Sequence, residues 1–253
     1  MYVSKKEIRK DNFIKDCKWL FKKPIYHRGK FDNKSVYENT MEAYKRAVDD
    51  KSPFEFDVQL TSDYEVICFH DSDLKRMFNR ERLVKDISYK RINKLRDDLK
   101  VPLLKDVLKM VDGKVELMIE LKNINHKFNN ILVNKVHELL KDYKGKYVIV
   151  SFNPFILNLY RSLNNDVYRG RIGSGDTTGF FNKLIVEKNW FNFIAKPDFI
   201  SYDVDFHNEE RLKKYREKGY KITGWTLKGK DKIKNLKKYY DNFIIEGLEA
   251  KEL

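Results

Sequence analysis

Two histidines, four carboxylates and two fixed cations fall in short clusters in the first half of the chain. The clusters are His27-Arg28-Gly29, Glu55-x-Asp57, His70-Asp71 and Glu120-x-Lys122. A carboxylate trio can hold a hard divalent cation, imidazoles exchange protons near neutral pH, and Arg and Lys can offset the charge of a phosphate group. These residue types therefore indicate metal-assisted attack on a phosphate ester.

Two of these clusters pair charged residues two positions apart in apolar segments. On a β-strand, such a pair lies on one face, so Glu55 and Asp57 would repel each other unless a cation lies between them. If the segments are barrel strands, their carboxyl ends surround one mouth, and Glu55, Asp57 and Glu120 can converge there on a metal ion. Oxygen ligands favour Mg²⁺ or Ca²⁺ over Zn²⁺, so we expect one divalent cation of that kind. The alternative is that each carboxylate pairs with a nearby lysine.

Short β-rich segments alternate with longer helical ones, which is typical of a parallel sheet with crossover helices. Eight strands are predicted, at 24–28, 54–60, 115–121, 147–152, 167–172, 198–202, 220–226 and 242–246. Helices are predicted at 39–48, 103–111, 128–140, 154–163, 182–193, 209–218 and 230–240. The pattern favours an α/β fold of the (β/α)8 type, the TIM barrel, with residues 1–253 forming a single domain.

Two segments depart from a simple strand–helix repeat. Residues 61–101 are too many for an ordinary connection, so we expect a small insertion after the second strand. An extra strand at 65–69 would deliver His70 there. Few residues follow the last strand, and the basic amphipathic segment 5–21 is a candidate to cover that side of the barrel. Such a segment could instead lie on an anionic membrane, but docking against the barrel is the expectation.

The formal charge of +14 attracts anionic partners at long range. Because most of the excess is lysine scattered along predicted helices, it is typical of a solvated face, and we do not expect a nucleic-acid partner. We expect a small-molecule phosphodiester substrate and, at most, transient contact with an anionic membrane surface. Two cysteines, no signal peptide and no apolar run of about 18 residues together predict a cytoplasmic protein. No pattern indicates an oligomeric state.

The clusters also occur in the order of a known family. His27-Arg28-Gly29, Glu38-Asn39-Thr40, residues 55–61, His70-Asp71, Glu120-Leu121-Lys122 and Trp225-Thr226 together resemble the glycerophosphodiester phosphodiesterase family over residues 24–246. The resemblance implies a (β/α)8 barrel with an insertion after the second strand. It also implies metal-dependent hydrolysis of a glycerophosphodiester to an alcohol and glycerol 3-phosphate. Two departures are Tyr37, where the family usually has proline, and Ile-Glu-Gly-Leu at 245–248, where it usually has an aspartate followed shortly by proline.

The resemblance implies roles for nine residues. The general acid and base would be His27 and His70, in an order that the sequence leaves open. The metal ligands would be Glu55, Asp57 and Glu120. Phosphate and substrate contacts would come from Arg28, Lys122, Asn39 and Trp225, with Asn39 supporting the site and Trp225 forming part of an apolar wall.

Two other functions are compatible with these motifs. A diesterase acting on lysophospholipids would use the same centre with a more apolar entrance. A non-catalytic protein that binds anionic lipid or nucleic acid would do so through its lysines, with salt-sensitive affinity. Replacing His27 or Glu55 would abolish turnover in a diesterase and leave such binding unchanged.

Overall fold

The computed structural model describes residues 5–175, 191–206 and 208–253. Its strands, numbered along the chain, are β1 (Ile25–Tyr26), β2 (Phe54–Leu60), β3 (Val66–Cys68), β4 (Asp73–Leu74), β5 (Arg80–Leu83), β6 (Leu117–Leu121), β7 (Tyr147–Ser151), β8 (Arg169–Gly173), β9 (Phe199–Asp203), β10 (Lys221–Leu227) and β11 (Asn242–Ile245). Eight of them run parallel in the order β1-β2-β6-β7-β8-β9-β10-β11, and β1 pairs with both β2 and β11. The predicted closed (β/α)8 barrel is confirmed.

Most helices follow barrel strands, while one precedes β1 and two short ones flank β5. They are α1 (Lys5–Asp16), α2 (Met41–Asp49), α3 (Lys75–Phe78), α4 (Tyr89–Ile92), α5 (Leu104–Val111), α6 (His126–Leu140), α7 (Pro154–Leu163), α8 (Asn192–Ala195), α9 (Glu209–Glu217) and α10 (Ile233–Leu236). The helix predicted at 182–193 lies outside the described residues except for its last three positions. The one predicted at 230–240 is shorter, a 3₁₀ turn (Lys230–Lys232) leading into α10. Over the described ranges, no helix has the length and apolarity to cross a membrane.

Alternation along the strands sorts side chains between the barrel interior and the helix layer. Phe54, Phe56 and Val58 of β2 belong to the apolar layer beneath the helices. Since successive residues of a strand point to opposite faces, Glu55 and Asp57 point into the barrel. On β6 the inward residue Met118 belongs to the interior cluster, which places Glu120 inside as well.

The N-terminal segment closes the amino end of the barrel. Phe13 of α1 is 1% exposed and stacks on Phe199 at the start of β9, with ring centroids 5.7 Å apart. Arg9 pairs with Asp198, just before the same strand, at 2.7 Å. The segment therefore docks against the barrel, as expected, but beneath it rather than beside β11. The mouth at the carboxyl ends of the strands stays open for the charged residues.

Residues 61–103 lie between β2 and α5. They include β3, antiparallel to β2, the hairpin β4–β5, and the short helices α3 and α4. An apolar cluster of their own, including Phe69, Leu74 and Phe78, holds these pieces together. The extra strand predicted at 65–69 is present as β3, and His70 follows it by two residues.

Candidate active site

Three buried carboxylates meet inside the barrel mouth. Glu55 and Asp57 lie on β2, Glu120 lies on β6, and the register of these neighbouring strands places Asp57 opposite Glu120. One oxygen from each of the three lies within 4.8 Å of the others. The fold thus brings together the three acidic residues that the sequence singled out.

Lys122 supplies positive charge to part of this trio. Its Nζ lies 2.9 Å from Glu120 Oε1 and 3.3 Å from Asp57 Oδ1. No lysine or arginine side chain among the described residues lies within 4.0 Å of the Glu55 carboxylate. Burial, with the nearby charges of Asp57 and Glu120, raises the pKa of Glu55 well above its usual range. Binding of a hard divalent cation would relieve this repulsion, so the donor set fits such an ion.

His27 follows β1 and lies between two carboxylates. Its Nδ1 is 3.0 Å from Glu246 Oε2, and its Nε2 is 4.0 Å from Glu55 Oε2. Because a carboxylate accepts, the Nδ1–H donates to Glu246 and Nε2 is left facing the trio. The imidazole is 14% exposed, and burial lowers its pKa although the Glu246 hydrogen bond opposes this. The hydrogen bond from His27 and the ion pair with Lys228 lower the pKa of Glu246 to about 2.

His70 has the same kind of partner in the insertion. Its Nδ1 lies 2.7 Å from Asp71 Oδ1, and the ring is 33% exposed. Arg76 of α3 donates from Nε to Asp71 Oδ2 at 2.7 Å. The buried Gln59 amide donates to the backbone oxygens of Phe69 and Asp71, at 2.8 and 2.7 Å, and so fixes the chain on both sides of the histidine.

Arg28 reaches the trio through a left-handed turn. Its φ is 53° and that of Gly29 is 83°, and a Cβ on Gly29 would lie 2.9 Å from Ala43. This turn brings Arg28 Nε within 3.5 Å of Asp57 Oδ2, while Nη1 donates to Glu38 Oε1 at 2.6 Å. The backbone N–H of Arg28 also donates to Glu55, at 3.2 Å. The guanidinium thus lies between two acidic groups, with its Nε buried and lacking a hydrogen-bond acceptor.

Asn39 is buried behind the trio. Its Nδ2 donates to Asp57 Oδ2 at 2.9 Å, and its Oδ1 accepts from the Tyr44 hydroxyl at 2.9 Å. The amide is therefore directed at Asp57, whose carboxylate it orients. Burial alone would raise the pKa of Asp57, but the charges of Lys122, a protonated His70 and Arg28, with the Asn39 hydrogen bond, lower it.

Trp225 lies on β10 and contacts an aromatic residue from another strand. Its ring meets Phe152, which follows β7, edge to face with centroids 5.6 Å apart. Its indole N–H donates to the backbone oxygen of Ser201 at 3.3 Å. The two rings form an apolar surface at the carboxyl ends of their strands.

Sequence reasoning gave no role to four residues that organise this site. They are Glu38, Asp71, Arg76 and Glu246. Glu246 had a usable signal, since it directly follows the last strand, where barrel side chains enter the mouth. Arg76 had none, because it is one of ten basic residues between positions 71 and 100.

Comparison with known proteins gives consistent matches. The model of the Glycerophosphoryl diester phosphodiesterase family matches residues 27–245. A glycerophosphodiester phosphodiesterase from Caldanaerobacter subterraneus subsp. tengcongensis is 34% identical over 149 residues, 53% of this chain and 59% of that protein. A lysophospholipase D from Mus musculus is 31% identical over 161 residues, 56% of this chain and 49% of that protein. The chain thus spans about three fifths or less of the length of these curated relatives.

A solved structure shares the fold. It is that of an Oleispira antarctica phosphodiesterase in complex with the product sn-glycerol-3-phosphate. The TM-score is 0.73 at 19% identity, over 89% of this chain and 93% of that one. At this identity the likeness supports the barrel architecture alone.

Proposed function

Because this chain belongs to the glycerophosphoryl diester phosphodiesterase family, we propose that it hydrolyses glycerophosphodiesters to an alcohol and glycerol 3-phosphate. One observation carries the proposal. Two imidazoles, each held at Nδ1 by a carboxylate, act on the same trio of buried acidic residues: His27 lies 4.0 Å from Glu55, and His70 is close enough to interact electrostatically with Asp57 and Glu120. Proton transfer groups and a cation site in one mouth are what a phosphodiester displacement requires.

His27 and His70 serve as the general base and the general acid. The base takes a proton from the attacking oxygen, and the acid protonates the departing alcohol, each contributing about 10²- to 10⁴-fold in rate. Burial favours the neutral form of His27, which suits the base, and the more exposed His70 suits the acid. Glu246 and Asp71 hold the two rings so that Nε2 of each is free for the substrate.

Glu55, Asp57 and Glu120 hold one divalent cation, Mg²⁺ or Ca²⁺. Their oxygens are hard donors that suit either ion. When bound, such an ion supplies Lewis-acid assistance at a phosphate oxygen, worth several kcal/mol.

The charges around the mouth agree with this assignment. The six carboxylates are those of Glu38, Glu55, Asp57, Asp71, Glu120 and Glu246, and the four cations that pair with them are those of Arg28, Arg76, Lys122 and Lys228. When all six are ionised, as a bound cation would favour, they outnumber these four cations by two, and the proton on the general acid offsets one of the two remaining charges.

Arg28 and Lys122 bind the phosphate. Arg28 uses one Nη1–H for its bond to Glu38, and its guanidinium has further N–H donors that can bind a phosphate oxygen while that bond is kept. Lys122 is a compact charge on the other side of Asp57. Negative charge that builds up on the phosphoryl oxygens is then offset by two cations that are already in place.

The attacking oxygen comes either from water or from a neighbouring hydroxyl of the substrate glycerol. With water, its oxygen bonds to phosphorus, the phosphorus–alcohol bond breaks, and glycerol 3-phosphate leaves directly. With the glycerol hydroxyl, a cyclic phosphate forms as the alcohol leaves, and water opens the ring in a second displacement. Both routes consume one water molecule and give the same products, an alcohol and glycerol 3-phosphate.

Lysophospholipids are the second candidate substrate class. A matched relative from mouse is named a lysophospholipase D. In this chain the ring pair Trp225 and Phe152 offers an apolar surface beside the carboxyl ends of the strands. That surface could contact a glycerol-linked acyl chain while the phosphate binds at Arg28 and Lys122.

A ³¹P NMR time course tests the proposal with glycerophosphocholine, glycerophosphoethanolamine and a lysophospholipid, with and without chelator. We expect glycerol 3-phosphate or its acylated form to appear, and chelator to stop its formation. His27→Ala and Glu55→Gln should abolish turnover, whereas His126→Ala, which removes an exposed imidazole at the start of α6, should not. Chelator-insensitive turnover, or full activity in His27→Ala, would refute the assignment.

A further inference from the structure

The insertion between β2 and α5 carries a cavity of about 460 Å³ away from the buried trio. Its floor is apolar, formed by Leu74, Ile87 and Leu95. Four cations surround the floor, those of Arg80, Arg82, Arg91 and Lys94. An apolar floor within a basic rim fits a ligand that is both anionic and partly hydrocarbon.

The rim cations are not neutralised by the protein. Over the described part of the chain, no carboxylate lies within 4.0 Å of any of the four. Arg80 and Arg82 donate only to the backbone oxygens of Asn79 and Asp86. The acidic residue of the lining, Glu81, is paired with Lys75 at 2.8 Å. The cavity therefore presents a concentrated positive charge in a chain whose formal net charge is already +14.

We propose that this basic cavity docks the protein on membranes that contain anionic phospholipid. Headgroup phosphates contact the four cations, and lipid hydrocarbon reaches the apolar floor. Leu83 of β5, 40% exposed at the edge of the same hairpin, adds apolar surface beside the rim. Cations with adjacent apolar side chains are the combination that binds an anionic bilayer interface.

The lining favours lipid over nucleic acid. Single-stranded nucleic acids are held by aromatic side chains on which bases stack, and none of the residues that line the cavity is aromatic. A bilayer needs no stacking partner. The floor of aliphatic side chains instead matches the edge of a lipid layer.

Docking through this cavity would bring the residues that position His70 close to the membrane. Leu74 of the floor directly precedes α3, whose Arg76 holds Asp71 and, through it, His70. The residues that contact lipid and those that position His70 thus belong to one short stretch of chain. The docking function itself does not depend on the proposed hydrolysis.

Vesicle co-sedimentation of the full chain tests the proposal, with vesicles of phosphatidylcholine alone and of phosphatidylcholine with phosphatidylglycerol at physiological salt. The test variant is Arg91→Glu/Lys94→Glu, which reverses two exposed rim charges. The matched control is Lys213→Glu/Lys218→Glu, which changes net charge equally on α9 and just after it. A basic side chain near an anionic surface contributes about fivefold in affinity, so the rim variant should bind about thirtyfold more weakly or worse. The control should stay within about twofold of the parent protein.

Three outcomes would overturn the proposal. They are absence of binding to anionic vesicles, equal binding to vesicles of phosphatidylcholine alone, and equal loss in the two double variants. Binding of single-stranded RNA that the rim variant abolishes, without any vesicle binding, would assign the surface to nucleic acid instead. Melting temperatures confirm that both variants fold. Turnover of water-soluble glycerophosphocholine should be the same in all three proteins, so failure of docking is distinguishable from failure of the hydrolase assignment.

Discussion

Arg76 offers a sharp test of how the insertion serves the site. Its guanidinium donates twice to Asp71, at 2.7 and 3.2 Å, and twice to Glu38, at 3.0 and 2.6 Å. Asp71 orients His70, and Glu38 binds Arg28. One planar side chain therefore fixes the partners of both the proposed acid and a proposed phosphate ligand, which makes Arg76 a positioning residue.

The expected magnitudes follow from these contacts. Arg76 is 46% exposed, so solvent screening limits its contribution to folding to about 1–2 kcal/mol. In Arg76→Ala, Asp71 keeps His70 but loses its own anchor, so only part of the proton-transfer contribution of about 10²- to 10⁴-fold should disappear. We expect kcat to fall about 10- to 100-fold with KM changed less. Arg76→Lys keeps the positive charge but loses the planar guanidinium that spans both carboxylates. Its kcat should therefore lie between those of the parent protein and Arg76→Ala.

Substrates with different leaving groups distinguish a positioning role of Arg76 from a general loosening of the fold in Arg76→Ala. A nitrophenyl phosphodiester needs little protonation of its departing oxygen, whereas a choline or ethanolamine ester needs it fully. If Arg76 acts through His70, the loss in Arg76→Ala should be large for the natural diesters and small for the nitrophenyl ester. Lys75→Ala, which removes an exposed ion pair from the neighbouring position, is the matched control. Equal losses on both substrate types, or an equal loss in Lys75→Ala, would refute this reasoning.

Phe13→Ala should lower the free energy of unfolding by about 3–5 kcal/mol in denaturant titrations because Phe13 closes the barrel base, while Ile8→Ala on the exposed side of α1 should change it by less than about 0.5 kcal/mol. The pKa of Glu246 is about 2 in the folded protein against an ordinary 4.5, so its ionised carboxylate stabilises the folded state. This contribution to the free energy of unfolding is complete above about pH 4.5 and is lost as the pH falls toward 2. The difference in unfolding free energy between the parent and Glu246→Gln, roughly 2–3 kcal/mol at neutral pH, should therefore shrink over that range; a constant difference would contradict it. Mg²⁺ or Ca²⁺ at about 100 times its Kd should stabilise the protein by about 2.7 kcal/mol in thermal melts and should have far less effect on Glu55→Gln.

Local sequence signals were sufficient for most of the fold. The bounds of β2 and α7 match the prediction to the residue. For α7 the reason is visible, since Asn153 caps the helix by accepting from the Phe155 N–H and Pro154 occupies the first turn. The position of α1 was less predictable, because a barrel has an apolar opening at its base as well as gaps between its outer helices. An amphipathic stripe fits either place.

The residues that position the site were harder to predict for a different reason. The acidic trio and His27 follow from barrel strand ends, where every barrel directs side chains into one mouth, and His70 follows from the extra strand β3. The bond between His27 and Glu246 joins residues 219 positions apart, and that between Arg76 and Glu38 spans 38. The place of Glu246 directly after the last strand indicates that it enters the mouth, but the local sequence identifies the partner in neither contact. Such contacts depend on how loops from different strands meet, which periodicity does not encode.

Burial is what distinguishes the two histidines. Both donate from Nδ1 to a carboxylate, one supplied by the next residue and the other by the far end of the chain. Hydrogen bonding at Nδ1 therefore does not distinguish the proposed base from the proposed acid. The His27 ring is less than half as exposed as that of His70, and its burial lowers its pKa despite Glu246. Burial thus distinguishes His27, the proposed base, from the more exposed His70, the proposed acid, and in this proposal the loss of Arg76 should be felt at the leaving group.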